Sequence, residues 1–596
     1  MSIAGKLRVK LMRWRLKNIS PRNLIFILSI LIGLITGLVA VLLKYTVHAV
    51  YTLVKSFAVD GGLNFYYVGF PIVGIGLTLL FMKYIIKSPI RHGIPNILHS
   101  ISKRNCELSK HNLYSPIITS ALTVGFGGSV GLEGPSVGSG AAYGTYIAKY
   151  LRLNYRSRVL LMACACAGAM SAILKAPIAA VVFAVEVIMI DLTAMSLIPL
   201  LLASCSAVLV SYLFQGQEAL YPITLQGQHF NMADLAYFIL LGIVCGLFSA
   251  YFTKVYLWVE EAFEGIKARW KRLIYGGILL GIIIFIFPSL YGEGYEVVNE
   301  CMRGDFSHLF TNSIFSNMHE NLLAILLLLF AVVILKAFAT SLTFGAGGVG
   351  GIFAPSLFMG VHVGLLFSLS ANQILEYFGM RTLQTGSFAL VGMAGLMAGV
   401  LHAPLTGMFL IADISGGYQL FVPLMITATV SSIIARRFYP NSVYHFQLAK
   451  RKELITHDKD SAVLTVLSVE QLIETDFITL RPEDKLRSLI EAISNSNRNI
   501  FPVVDGDGLM KGMLKMDDVK HLIFNQELYD EVEIKDIMYM PEAFVSSRDS
   551  METLMRTFEK SGRYNIAVID DGMYKGFISR AKAFMSYRSA LKRVSQ

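Results

Sequence analysis

Long apolar runs separated by short polar breaks fill the first three quarters of the chain. They are Leu24 to Val54, Phe65 to Ile86, Val159 to Ile173, Ile198 to Leu213, Leu235 to Tyr256, Ile274 to Leu290, Leu322 to Phe338, Leu357 to Leu369 and Phe388 to Val430. A straight helix needs about 20 apolar residues to cross a bilayer. Several runs exceed that length, and others are shorter or broken by Gly and Pro, which predicts tilted and interrupted membrane helices. Near residue 446 the pattern changes. The remainder is charged and alternates strand-like with helix-like segments, as a soluble region does.

Composition agrees with this division. The 596 residues are 54% hydrophobic and 16% charged, with mean hydropathy +0.57, which excludes a soluble globular chain. The net charge is +11, concentrated in Lys6, Arg8, Lys10, Arg13, Arg15, Lys17 and Arg22 and again in Arg436, Arg437, Lys450, Arg451 and Lys452. Basic clusters flanking apolar spans mark the cytoplasmic side. Both termini are therefore expected inside, with an even number of crossings, in a plasma (inner) membrane. This charge pattern speaks for a bilayer partner and against nucleic acid. The spacing of Leu7, Leu11, Trp14 and Leu16 predicts a surface-lying amphipathic helix within residues 1–22, with no signal-peptide cleavage site. The six cysteines form no CxxC pair and read as buried thiols, with no metal site.

An internal repeat organises the membrane part. Thr123 to Ser136 recurs, position for position, as Thr343 to Ser356. Gly168 to Pro177, with Glu186 nine residues on, recurs as Gly395 to Pro404, with Asp413 nine residues on. Two copies of one membrane unit, each with a broken helix, form a transporter plan with the ion site between the copies. Glu133 of the first copy then faces Phe353 of the second.

Glu133 stands in Gly125-Phe-Gly-Gly-Ser-Val-Gly-Leu-Glu-Gly-Pro-Ser136, a glycine-rich break in apolar surroundings. A carboxylate at membrane depth costs at least about 2.5–3.5 kcal/mol and marks a functional site by default. Helix N-termini supply unpaired N–H groups and partial positive charge, which suit an anion without trapping it.

These motifs resemble those of the CLC family of chloride channels and chloride/proton exchangers. The resemblance covers about residues 20 to 446. It rests on Gly93-Ile94-Pro95, on Gly131-Leu132-Glu133-Gly134-Pro135, on Gly351-Ile352-Phe353-Ala354-Pro355 and on Tyr444 as the fourth pore element. It implies an all-α polytopic domain of two inverted repeats over residues 23–446, assembled as a homodimer with an anion pathway in each subunit. By the same resemblance, the backbone N–H groups of Leu132, Glu133, Ile352 and Phe353 would line the anion sites. His92 and Gly93 would join the Tyr444 hydroxyl at the inner site. Glu133 would be the gate, giving way to chloride when protonated or displaced.

Two positions depart from the family pattern. His92 stands where a small hydroxyl residue is usual. Either its imidazole donates to the anion, or the side chain points away and only the backbone contributes. Val187 stands where exchangers carry an inner, proton-relaying glutamate. A valine cannot titrate, so the expectation is a gated passive chloride channel, with a chloride/proton exchanger as the alternative. Glu186 and Asp413 occupy matching places and are expected to cap helix ends. Lys175 and His402, also matched, are expected at helix ends. For Lys336, a contribution to the anion path and snorkelling to an interface are both open. Catalytic motifs of enzymes are absent from the chain.

The soluble part holds a second repeat. Ile500 to Asp505 with Lys511 to Leu514 matches Asn565 to Asp570 with Lys575 to Ile578, each preceded by a helical pattern. After a linker at 447–462, this resembles an α/β cytoplasmic pair of CBS domains at 463–524 and 534–590. Such pairs often bind adenine nucleotides through a hydroxyl and an acid after the second strand. Here Lys515, Asp517 and Asp518 lack the hydroxyl, and Ser579 is followed by Lys582 in place of the acid. A packing or dimer-stabilising role is expected ahead of nucleotide binding, and no cofactor is required.

Overall fold

A computed structural model describes residues 19–57, 65–87, 93–103, 106–188, 194–217, 231–310, 315, 321–450 and 467–595. His92 and the segment before residue 19, including the expected surface helix, lie outside these residues. The chain divides into two units, Met1–Glu453 and Leu454–Gln596.

In the first unit the first repeat forms α1 (Pro21–Lys55), α2 (Tyr66–Phe81), α3 (Gly93–Lys103), α4 (Ser115–Gly125), α5 (Glu133–Tyr150), α6 (Tyr155–Leu174), α7 (Pro177–Glu186) and α8 (Ala194–Gln215). The second forms α9 (Leu235–Glu264), α10 (Arg269–Ile286), α11 (Tyr295–Met302), α12 (Leu322–Ala346), α13 (Phe353–Tyr377), α14 (Thr385–Leu401), α15 (Pro404–Ile414) and α16 (Phe421–Phe438). A last helix, α17 (Val443–Lys450), follows. Among the described residues eight helical stretches are long and apolar enough to cross a membrane, and the rest are shorter, as the interrupted runs predict.

Helix α1 shows how these sequences pack. Its Leu31, Leu34, Leu38 and Leu42 form an exposed stripe suited to lipid, while Ile32, Gly33, Thr36, Gly37 and Ala40 are buried. A Cβ at Gly33 would lie 2.3 Å from the Ala203 carbonyl oxygen, so glycine lets α1 and α8 meet backbone to backbone. Close packing of this kind replaces the hydrophobic drive that lipid cannot supply. Helices α9 and α16 repeat the pairing in the second copy, where Gly242 and Gly246 approach Thr427 and Ser431 of α16.

Across the repeats, helix ends are capped reciprocally. Asp413, near the end of α15, accepts from the Ile178 and Ala179 N–H groups at the start of α7, at 3.0 and 3.1 Å. Glu186, the last residue of α7, accepts from Leu405 and Thr406 at the start of α15, at 3.1 and 2.7 Å. Each carboxylate thus satisfies orphan donors and the positive end of its partner helix. Lys175 and His402 end α6 and α14 in matching left-handed conformations, at φ 56° and 57°. Cysteine burial departs from expectation at one place: Cys205 of α8 is exposed, while the other five are buried.

The second unit holds two cores. Strand β1 (Ile500–Val504) pairs antiparallel with β2 (Met510–Lys515), between α18 (Leu486–Asn495) and α19 (Met516–Ile523). After the short α20 (Ile534–Ile537), β3 (Phe544–Val545) runs parallel to β4 (Asn565–Asp570), which pairs antiparallel with β5 (Met573–Ser579). Helices α21 (Met551–Ser561) and α22 (Arg580–Ser595) flank that sheet.

Lead-in segments are exchanged between the two halves. Val469 and Leu472 are buried in the second core with Phe558, Val568 and Ile578, and Glu474 pairs with Phe577 of β5. Ile534 is buried in the first core with Leu489, Phe501 and Leu514. The sequence boundaries at 463–524 and 534–590 therefore follow the repeat but not the packing. Apolar segments outside the repeated strands carry no periodicity that says which core they enter.

Asp413→Ala and Glu186→Ala should each lower thermal stability in detergent, by about 0.5–2 kcal/mol, the range for a lost N-terminal cap. Leu472→Ala should destabilise by about 2–5 kcal/mol, as expected of a core leucine. Amide hydrogen exchange in denaturant should show the loss at β4 and β5 in the second half of the unit, although Leu472 precedes the first half's strands.

Candidate anion site

The repeated glycine stretches meet at their centres. Ser129 N–H donates to Thr343 Oγ1 and Val349 N–H donates to Thr123 Oγ1, each at 3.1 Å. Gly127 and Gly347 turn the chain with φ of 97° and 104°, a conformation open to glycine. Gly131 and Gly351 then form a two-residue antiparallel bridge, N–H to carbonyl in both directions at 2.8 Å. Immediately beyond the bridge, α5 and α13 begin. Two helix N-termini are thereby fixed tip to tip, with their free N–H groups directed into one small region.

A third helix tip joins them. A Cβ at Gly93 would lie 2.2 Å from the Gly134 carbonyl oxygen, so α3 starts in direct contact with α5. A cavity of about 20 Å³ lies here, lined by Gly93, Ile94, Gly134, Gly351, Ile352 and Tyr444 among others. A void needs about 10–15 Å³ to hold one water, so this one accommodates a single small species. The structure thus gathers all four family elements around one space. Helix α17 brings Gln447 to the same wall as Tyr444, three residues away, and Gln447 Nε2 donates to Tyr256 Oη at 2.8 Å. Gln447 was expected in the linker; α17 continues through it and makes it part of the site. Neither Gln447 nor Tyr256 carries a motif that would single it out from sequence.

Glu133 is 1% exposed. Its Oε1 accepts a hydrogen bond from the Tyr295 hydroxyl of α11. Its Oε2 has no hydrogen-bond partner among the described residues. A Cβ at Gly131 would strike that oxygen at 2.1 Å and lie 3.1 Å from Ala354 N, so the carboxylate fills the cleft between the tips of α5 and α13. Glu133 and Tyr444 are near enough to interact electrostatically.

Leu132 departs from expectation. Its N–H, expected to face the anion, donates to Glu293 Oε1 at 3.1 Å. Glu293 is not among the site residues expected from sequence, although Tyr291-Gly-Glu-Gly-Tyr295 shares with the Glu133 stretch an acid among glycines in an apolar setting. Ile352 is the N-cap of α13 and Phe353 its first residue, both buried.

Lys336 of α12 does not snorkel. It is fully buried and donates to Ser129 Oγ at 2.8 Å and the Gly292 carbonyl at 3.3 Å, with its ammonium 4.5 Å from the Phe358 ring centre. These contacts stand in for water around a charge that would otherwise be very costly to bury.

Val187 follows α7 and is buried, with its N–H donating to the Phe183 carbonyl. Phe183 in turn packs edge-on against Phe353, with ring centres 6.3 Å apart.

Comparison with known proteins agrees with this architecture. A family model described as voltage gated chloride channel matches residues 73–436, and one described as CBS domain matches 469–525. The chain is 31% identical over 330 residues to the H(+)/Cl(-) exchange transporter ClcA of Vibrio campbellii, covering 54% of this chain and 66% of that one. It is 28% identical over 395 residues to the putative chloride channel protein ClcB-like of Ralstonia nicotianae, covering 64% and 85%. Among solved structures, a slow cyanobacterial Cl-/H+ antiporter aligns with TM-score 0.60 at 23% identity, over 73% of this chain and 99% of that one. A eukaryotic CLC transporter aligns with TM-score 0.60 at 18% identity, over 94% and 99%. The structural likenesses carry the fold, and the family model carries the membership: this chain belongs to the voltage-gated chloride channel family, the CLC proteins, and ends in a CBS-type region.

Proposed function

We propose that the protein exchanges chloride for protons across the membrane, with Glu133 as the moving, protonatable gate. The observation that carries this reading is the Glu133 carboxylate, buried in the cleft between two helix N-termini beside the Ala354 N–H. An anionic side chain held there competes with a permeating anion for the same positive helix ends. Protonation removes its charge and its claim on the site, which ties anion passage to proton uptake. Tyr444, Gly93 and Ile352 line the adjoining small cavity, and Gln447 belongs with them. The relatives named as exchangers support exchange over the passive channel expected from Val187 alone.

Val187 gives the channel reading its own observation, since no titratable group stands at that position. Exchange then requires the inner proton to reach Glu133 by water instead of a side-chain carboxylate. The unit is read as a homodimer in a bilayer with both termini cytoplasmic, as its basic clusters favour. For the CBS pair we favour a packing role. Ser579 Oγ already donates to Glu474 Oε1 at 2.7 Å, so a nucleotide would have to displace that contact.

Reconstituted into liposomes, the protein should drive protons uphill when a chloride gradient is imposed. Chloride flux with no proton movement would establish the passive channel instead. Glu133→Gln should abolish the proton movement while chloride still passes; coupling that survives this substitution would remove Glu133 from the gate.

A further inference from the structure

Glu293 is a second, half-buried carboxylate beside the anion site, with no counterpart in the repeat. It sits between Gly292 and Gly294, at φ 62° and 85°. Left-handed glycines on either side of this acid shape the loop to turn its side chain inward. Its Oε1 takes the Leu132 N–H, the last free donor before the tip of α5. The same loop is pinned from behind by Lys336 on the Gly292 carbonyl and by Ser129 Oγ on the Leu290 carbonyl, at 2.7 Å. Glu293 is thus held against the tip of α5, while Glu133 fills the cleft between that tip and the tip of α13.

The space around Glu293 is open enough for ions. A cavity of about 420 Å³ is lined by Lys44, Leu132, Glu293, Tyr295 and Glu296, among others. Lys44 of α1 interacts electrostatically with both Glu293 and Glu133, and Lys336 of α12 interacts with Glu293. His48, Tyr51, Lys55, Tyr67 and Tyr291 are the remaining titratable groups facing this cavity. Glu293 and Lys44, both half-buried, therefore face one antechamber, with Glu133 and Lys336 near enough to act on them electrostatically, and anions and carboxylates there compete for the same positive groups.

We propose that Glu293 is a second carboxylate gate: it occupies the Leu132 N–H as a permeating anion would, and must release it before an anion can settle at the tip of α5. The proposal rests on the anion pathway assigned above. Release follows from protonation of Glu293 or from displacement by chloride. Flux through the pathway then depends on two acids in series, and only Glu133 carries the coupled proton.

The test uses the full chain in liposomes, with chloride as the probe and equal pH on both sides. In Glu133→Gln, proton coupling is lost but chloride flux should still rise as pH falls, because Glu293 still titrates. In Glu133→Gln/Glu293→Gln that pH dependence should vanish. Glu293→Gln alone should lower half-saturating chloride several-fold, and Glu293→Asp should restore the wild-type value. Gln matches the protonated acid in size and charge, and the Asp variant retains the carboxylate charge, so misfolding does not produce this pattern. Coupling retained in Glu133→Gln would overturn the gate itself. Coupling lost, with pH-independent flux in Glu133→Gln and unchanged half-saturating chloride in Glu293→Gln, would overturn the second gate and leave the first standing.

Discussion

The bridge between Gly131 and Gly351 holds the pathway together. Two reciprocal 2.8 Å hydrogen bonds join the repeats at the residues that precede α5 and α13. Everything chemical about the site follows from that join. Helix tips that would otherwise seek separate partners are forced to share one, and an anion or a carboxylate is the group that suits them. Their partial charges attract without the permanence of a full cation, so the occupant can leave. The bridge also explains the glycines, because a side chain at 131 would collide with the carboxylate and one at 351 would lie 2.9 Å from Gly134 N.

Reciprocity extends outward from this point. Thr123 and Thr343 each hold the other copy's loop, and Glu186 and Asp413 each cap the other copy's helix. Such exchanges make the two repeats interdigitate, so neither copy completes its own hydrogen bonding alone. In lipid that is decisive, since an unpaired N–H has no water to fall back on. The exchanged lead-in segments of the soluble unit follow the same logic with apolar groups, Leu472 filling one half's core and Ile534 the other's.

Much of this was legible in the sequence because repetition exposes it. Matching Glu186 with Asp413 and Lys175 with His402 predicted helix-end roles, and the structure places all four at helix ends. The glycine spacing around Glu133 announced the break in the helix. What could not be read were contacts that lack a repeat partner. Glu293 caps Leu132 from a loop found only once, and Gln447 looked like linker because eight residues of α17 are too short to show a period. Which core accepts Val469 and Leu472 depends on tertiary packing, which an apolar residue in a short segment does not encode locally. The passive reading drawn from Val187 weighed a single position, whereas the buried Glu133 carboxylate and the similarity to named exchangers weigh the whole pathway.

The central claim is that the Glu133 carboxylate stands in the place of an anion. Crystals of the protein grown in bromide would test it through the anomalous signal of the halide. In Glu133→Gln, bromide should occupy the cleft between the tips of α5 and α13, within reach of the Ala354 N–H, while the wild-type protein at high pH shows no halide there. Bromide bound in that cleft beside an undisplaced Glu133 carboxylate, or absent from it in both proteins, would contradict the account.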